Sequence, residues 1–401
     1  MKAKIVLVGI GGYGGQYVMA LTNWKGDRNW EVVGIVDPMA EKAQRRAEAM
    51  ALCDHVYNTL DDFYAERQAD LAVIASPIQY HCKQTCVALA HGTNVLCEKP
   101  ICAVIQQAYE MVEARDKSDG KFVAIGYQWS FSPQMQALKA DILTGNYGAP
   151  KRLKTIALWP RTDTYYGRNN WAGGLKSANG DWILDSPVNN ATAHYLHNML
   201  YVIGPAVDRS ATPVSVQAEL YRANPITNYD TASLRVMTDN GAEILFYTTH
   251  AVSRLRGPEF VYEFENGTVY YDTRKRRVWS VMRDGAVKEY GNPHQGVEYK
   301  LGDSIKASLG EGGIVCGPEA AMMHTLCMNG AQESVPSVKD FPWRDVYKVG
   351  APGSQVRVMT GLAEQIEGGY DANLLPGEYQ PMAWTQLGRT VSLKNYKSFG
   401  L

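Results

Sequence analysis

Residues 9–15 read GIGGYGG and directly follow the apolar run KIVLV at 4–8. Gly9, Gly11 and Gly14 fit G-x-G-x-x-G between an expected strand and an expected helix, the context that gives this motif its specificity. The first glycine makes the turn and the second lets a pyrophosphate approach the backbone. The third lets helix and strand pack closely, with phosphates at the helix N-terminus. Gly12 and Tyr13 lie in the same turn and join the expected cofactor contacts. Asp37 ends the next apolar run, WEVVGIVD, 23 residues after Gly14. A carboxylate there suits ribose hydroxyls and repels a 2′-phosphate. Pro38 and Met39 follow it, so no adjacent cation would neutralise that phosphate. The expected cofactor is NAD; the competing role for Asp37 is to cap a turn.

The rest of the first third repeats this alternation. Strands are expected at ADLAVIAS (69–76), NVLCEK (94–99) and FVAIGYQW (122–129), and helices at 14–24, 40–51, 80–92 and 106–120. Strands alternating with helices at this spacing imply a doubly wound parallel sheet. After residue 150 the runs lengthen and alternate with period two. TDNGAE, FENGTV and RDGAV place Asn-Gly or Asp-Gly between apolar stretches, the signature of hairpins. The expected fold is α/β: an N-terminal Rossmann domain over 1–125, an α/β domain with a large, mostly antiparallel open sheet over 126–370, and a loop-like tail over 371–401. One long helix is expected from Ser186-Pro187 to Gly204-Pro205, with Ser as N-cap and Pro at N1. Two more are expected near 317–328 and 350–367.

Composition narrows the function class. In 401 residues the formal net charge is −1, which offers no basic field for nucleic acid. No apolar run reaches the roughly 18–20 residues of a membrane span. The chain enters a strand at once, leaving no room for a signal peptide, so the cytoplasm is the expected compartment. The seven cysteines are scattered without a CxxC. Cys82 and Cys86 read as reduced thiols packed as small hydrophobes. No metal site is expected.

Taken in order, GIGGYGG, VDP (36–38), ASPIQYH (75–81), NVLCEKPI (94–101), GYQWSFSP (126–133) and HYLHNMLYVIG (194–204) resemble the glucose–fructose oxidoreductase/inositol dehydrogenase (Gfo/Idh/MocA) family. The match is close to about residue 205. VYKVGAPGSQVRVMTGLAEQIEGG (346–369) is similar to the family's C-terminal helix more loosely. The resemblance implies a two-domain enzyme acting on a carbohydrate-like substrate, and a homodimer or homotetramer formed through the C-terminal sheet.

Residue by residue, the resemblance implies that Ser76, Pro77 and His81 lie near the nicotinamide ribose. Glu98, Lys99 and Pro100 match the EKP motif, whose lysine faces nicotinamide and substrate. A lysine at the carboxyl end of a parallel strand also sits where such sheets bind ligands. His194 matches the histidine that takes a proton from a sugar hydroxyl. The family's usual D-x-x-x-H is altered. Counting back from Gly204 puts Asn190 at the Asp position, whereas counting forward from NGDWILD puts Asp185 there. Asn190, His194 and His197 lie at i, i+4 and i+7 and share one face of an unbroken helix.

The loop WPRTDTYYGRNNWAGG (159–174) is crowded with groups that stack on sugar rings or bind hydroxyls and carboxylates. Its substrate candidates are Trp159, Arg161, Tyr165, Tyr166, Arg168, Asn169 and Trp171. Tyr127, Gln128 and Trp129 on the expected strand GYQW join them, Gln128 toward the cofactor.

The leading reading is an NAD-dependent oxidoreductase on a sugar, cyclitol or sugar derivative. In it His194 is general base and Lys99 holds the charge developing on oxygen. One alternative is a glycosidase that uses bound NAD in a redox-neutral oxidation–elimination–hydration cycle. Another is a non-catalytic NAD-binding sensor.

Overall fold

In the computed structural model, which describes residues 2–294 and 296–400, the chain divides into two compact units. The first comprises Met1–Cys102, Gln106–Ser132 and Gln295–Met322; the second comprises Ala103–Ile105, Pro133–His294 and Met323–Leu401.

The first unit holds β1 (Ala3–Val8), β2 (Trp30–Val36), β3 (Val56–Tyr57), β4 (Leu71–Ile74), β5 (Asn94–Cys97) and β6 (Val123–Ile125). Their order is β3-β2-β1-β4-β5-β6 and every pair is parallel. This is the doubly wound order of dinucleotide-binding sheets. All four residues of β4 and of β5 are buried, which is why those strands read as unbroken apolar runs. Helices α1 (Gly14–Thr22), α2 (Arg46–Leu52), α3 (Leu60–Glu66), α4 (Ile78–Ala90) and α5 (Ile105–Asp116) join the strands.

Three local expectations change here. The helix expected over 40–51 splits, because Ala43 is extended between a 3-10 turn (Ala40–Lys42) and α2. The strand expected to run to Trp129 ends at Ile125. Residues 127–130 close a turn in which the Ser130 amide donates to the Tyr127 carbonyl at 2.9 Å. Residues 295–322, expected in the second domain, return to the first unit and carry an unexpected helix.

The second unit begins with α6 (Pro133–Leu143), β7 (Pro150–Leu158) and the short α7 (Asp163–Tyr166). Further along lie α8 (Ala193–Val202), β8 (Pro213–Arg222), β9 (Thr231–Thr238), β10 (Glu243–Thr249), β11 (Arg256–Phe264), β12 (Gly267–Asp272), β13 (Arg277–Met282) and β14 (Val287–Gly291). The returning helix is α9 (Glu298–Ser308), followed by α10 (Pro318–Ser334). The chain closes with β15 (Lys339–Asp340), β16 (Val346–Val349), β17 (Val356–Met359), α11 (Leu362–Ala372), α12 (Pro376–Tyr379) and β18 (Val391–Ser392).

The second sheet runs β14-β13-β12-β11-β7-β10-β9-β8-β15, with β18 on β8. Only β7/β10 and β8/β15 are parallel. The three Asn-Gly and Asp-Gly turns join β9 to β10, β11 to β12, and β13 to β14, as expected. Period-two alternation sorts the centre of this sheet. Leu245 and Tyr247 pack with Leu362, Ile366 and Tyr370 of α11. On the opposite face, Thr248 meets Thr192 and the Tyr262 hydroxyl accepts from Asn198 of α8.

Residues 350–367, expected as a helix, instead form the turn after β16, strand β17 and the start of α11. The alternation of VYKV and VRVM pairs them as strands around the turn GAPGSQ (350–355), and Gly361 (φ +72°) opens α11. The 371–401 segment is not a free tail: its last strand pairs Val391 with Val216. Among the described residues no helix is long and apolar enough to cross a membrane.

His81, His197 and His250 are sealed inside these units, each 1% exposed. Burial lowers the pKa of all three. The unfolded chain, with histidines near 6.5, therefore binds more protons than the folded chain below that pH. Their stability contribution is complete above about pH 7 and is lost as pH falls through 6.5. Urea unfolding at pH 7.5, 6.5 and 5.5 should show this, with a loss of about 1.4 kcal/mol per pH unit for each histidine that stays neutral. A flat profile across that window would contradict the buried-neutral assignment.

Candidate active site

The glycine turn of the first unit is built as the motif requires. Gly9 has φ +81°, and a Cβ on Gly14 would lie 2.0 Å from the Gly9 carbonyl oxygen, so strand and helix meet too closely for any side chain. In front of Gly11 and Gly12 a Cβ would meet nothing within 4 Å. That open space and the first turn of α1, which no side chain caps, form a cradle fitted to a pyrophosphate. Asp37 Oδ2 accepts from the amides of Ile10 (2.9 Å) and Gly11 (3.3 Å), and Oδ1 from Met39 (2.8 Å). The carboxylate thus braces the glycine turn while retaining lone pairs for hydroxyl donors. Arg45, the cation packed beside Gly15, is held by Glu48 at 2.8 Å. Tyr13 donates its hydroxyl to Gln128 Oε1 at 2.9 Å, so these two expected cofactor contacts sit together.

The segments after β4 and β5 are tied to each other by His81. Its ring nitrogens lie 2.9 Å from the carbonyls of Ser76 and Pro100. Neutral, the ring donates to one of these carbonyls and packs against the other, a strut between the Ser76–Pro77 turn and the Glu98-Lys99-Pro100 turn. Glu98 is also committed internally. It is 5% exposed, and its Oε1 accepts from Tyr17 (2.6 Å) and from Lys300 Nζ of α9. Its Oε2 accepts from the Lys99 amide at 3.1 Å. Glu98 thus forms a buried ion pair with Lys300 beneath Lys99, which is itself half-buried at the carboxyl end of β5. Tyr127 (0% exposed) and Trp129 (2%) are core residues of the first unit rather than substrate-facing ones.

In the second unit the expected long helix is broken. Ser186 caps it as expected, accepting from the Asn189 amide at 3.1 Å. Residues Pro187–Ala191 then form a π turn, closed by the Thr192 hydroxyl on the Pro187 carbonyl (2.7 Å), before α8 begins. This extra residue undoes the i, i+4, i+7 face. His197 lies in the core, stacked on Tyr201 at 5.5 Å, and is removed from the substrate candidates. His194 is the single residue of α8 that is not buried. Asp185 and Asn190, the two alternatives before it, are brought together. Asn190 Nδ2 donates to Asp185 Oδ1 at 2.8 Å, and the Gly173 amide donates to Oδ2 at 2.6 Å.

The aromatic loop is ordered by stacking. The Arg168 guanidinium lies 3.7 Å from the Tyr165 ring centroid, 5.3 Å from that of Trp171 and 3.8 Å from Asp185 Oδ2. The Arg161 guanidinium lies 4.9 Å from Tyr165 and 5.5 Å from Trp159. Asn169 is spent on the loop itself, accepting from the amides of Trp171 and Ala172. Burial and Asp185 raise the Tyr165 phenol above its ordinary pKa, so it stays protonated and is a poor base. The Tyr166 hydroxyl lies 2.8 Å from His250 Nδ1. Sequence reasoning missed His250, a lone histidine at a strand end, and Lys300, a lysine on an ordinary-looking helix. Neither carries a motif. Among the described residues no group of three or more His, Cys, Asp or Glu side chains could hold a metal ion.

Residues 3–127 match the model of a family described as "Oxidoreductase family, NAD-binding Rossmann fold" (GFO_IDH_MocA). The chain is 30% identical over 152 residues to inositol 2-dehydrogenase 1 of Mycolicibacterium vanbaalenii, covering 38% of this chain and 43% of that one. It thus spans less than half the length of that relative. It is 26% identical over 293 residues to the scyllo-inositol 2-dehydrogenase (NADP(+)) IolU of Bacillus subtilis, covering 68% and 81% of the two chains. Its fold is similar to that of the WlbA dehydrogenase of Bordetella pertussis, solved with NADH and UDP-GlcNAcA. The TM-score is 0.68 at 22% identity, over 84% of this chain and 98% of that one.

Proposed function

We propose that this chain, a member of the Gfo/Idh/MocA oxidoreductases, is an NAD-dependent dehydrogenase of a secondary hydroxyl on a sugar, cyclitol or related carbohydrate. The observation that carries the reading is the open glycine turn at the carboxyl edge of a 3-2-1-4-5-6 parallel sheet. Gly11, Gly12 and the first turn of α1 hold the pyrophosphate, and Asp37 receives the ribose hydroxyls. NAD, when bound, accepts a hydride from the carbinol carbon. His194 takes the hydroxyl proton as general base. Lys99 holds the charge that develops on oxygen. Asp185 positions Asn190 beside the segment that carries His194.

NADH formation by the NAD-loaded protein across sugars, cyclitols and aryl glycosides tests this. Net NADH with a polyol supports a dehydrogenase. Aglycone release without net NADH would assign the redox-neutral glycosidase cycle instead, and NAD binding with neither outcome would assign a sensor.

Cofactor choice is separately testable. Asp37→Ser combined with Pro38→Arg removes the repulsion and adds a phosphate partner. The ratio of NAD to NADP affinity should fall by at least about tenfold, the size of one charge-assisted contact. Tighter binding of NADP than of NAD by the unaltered protein would refute the reading of Asp37.

A further inference from the structure

Arg161 and His250 stand at the carboxyl ends of β7 and β10, adjacent parallel strands whose last residues, Leu158 and Thr249, are in register. The Arg161 amide donates to the His250 carbonyl at 3.3 Å. The side chains share the Tyr165 ring: the guanidinium lies 4.9 Å from its centroid and the imidazole 5.5 Å, edge-on.

Both side chains keep a donor unused. Arg161 Nε is shielded from solvent and has no hydrogen-bond partner, and no described carboxylate lies within ion-pair distance of its guanidinium. His250 is 1% exposed, and its Nε2 is likewise unbonded. The tautomer follows from Tyr166. Its hydroxyl stands 2.8 Å from His250 Nδ1 and contacts no other described acceptor, so the phenol proton is given to that nitrogen. The imidazole hydrogen then resides on Nε2, which becomes a donor. Burial, with Arg161 and Arg168 nearby, holds His250 neutral. Leaving buried donors unmade costs about 1–3 kcal/mol each. Two such donors, neither able to accept, call for an acceptor from outside the chain. Asp185, 3.8 Å from Arg168, pairs with that cation, and Asp230 beside Tyr166 is spent on Asn224 and Thr231. Arg161 is left with a charge that suits an anionic acceptor.

We propose that Arg161 and His250 Nε2–H bind a carboxylate of the substrate, so that the carbohydrate oxidised is a sugar acid. This rests on the dehydrogenase reading for the oxidation but not for the binding. Arg168 is held by Asp185 and by the Tyr165 carbonyl (2.5 Å), and its role is to place Tyr165 between the two donors.

The experiment compares hexuronates and aldonates with their neutral hexoses and with hexose monophosphates. It measures calorimetric binding to the NAD-loaded protein and steady-state NADH formation. At least one acid should exceed its neutral counterpart in kcat/KM by about 30–100-fold, the worth of a charged hydrogen-bonded contact. Arg161→Gln should abolish that preference through KM, with NAD affinity and melting temperature unchanged, and Arg161→Lys should restore part of it. A purely structural Arg161 would lower the melting temperature and leave the acid-to-neutral ratio intact. The proposal is overturned if no acid outperforms its neutral partner, or if the phosphates do so instead. Acid binding that Arg161→Gln removes, without NADH from any compound, would keep this site and overturn the dehydrogenase. NADH from neutral sugars alone would do the reverse.

Discussion

Lys99→Ala and His194→Ala will each cut turnover by about two to four orders of magnitude while leaving the fold and NAD affinity in place. The size is that of a positioned acid or base. The tolerance of the fold follows from their surroundings. Lys99 is half-buried, and the group beneath it that anchors the turn, Glu98, is held by Tyr17, Lys300 and the Lys99 main-chain amide, all of which survive Lys99→Ala. His194 is the one residue of α8 outside the core, so truncating it opens no cavity among Leu196, Met199 and Leu200. Stopped-flow measurement with saturating substrate separates the two roles. Loss of His194 should remove the acid limb of the pH–rate profile, because the proton then has no receiving base. Loss of Lys99 should lower the rate at every pH. Either variant unfolding, or retaining near-normal turnover, would count against the assignments.

Much of the first unit was legible because local signals and tertiary structure agree there. A glycine turn can take few forms, and buried parallel strands must read as apolar runs. Ser186 was legible as a cap for the same reason: its side chain acts within three residues. The face built on Asn190, His194 and His197 was not, because one residue inserted in a π turn rotates everything before it, and no residue type announces such a turn. His81 and Glu98 sit where the resemblance places them, yet their side chains are turned inward to brace the loops that hold Lys99. Motif matching cannot distinguish a residue that touches a ligand from one that aims its neighbour. Lys300 and His250 were invisible for a further reason. Their partners lie 202 and 84 residues away in sequence, at Glu98 and Tyr166, and only the folded chain supplies the contact.

Lys300→Met should therefore be among the most destabilising single substitutions in the chain. The ammonium of Lys300 is fully enclosed and donates to Glu98 Oε1 and to the Gly126 carbonyl at 3.1 Å. Burial lowers its pKa and Glu98 opposes that shift, so each charge is tolerated because the other is there. Removing one partner strands a carboxylate in the interior, at a cost of about 3–5 kcal/mol. Glu98→Gln should cost a similar amount by stranding the ammonium. The double variant Glu98→Gln/Lys300→Met removes both charges together, keeps an amide oxygen as acceptor for the Lys99 main-chain N–H, and should recover most of the loss. Urea unfolding of the four proteins forms a cycle whose coupling should reach about 2 kcal/mol or more. Near-additive losses would mean the pair is not what holds α9 to β5. NAD titration of the double variant settles the other role expected of Glu98: if Glu98 braces Lys99 instead of touching the cofactor, affinity stays within a few-fold of the parent, and a large loss in a well-folded double variant would return Glu98 to the cofactor site.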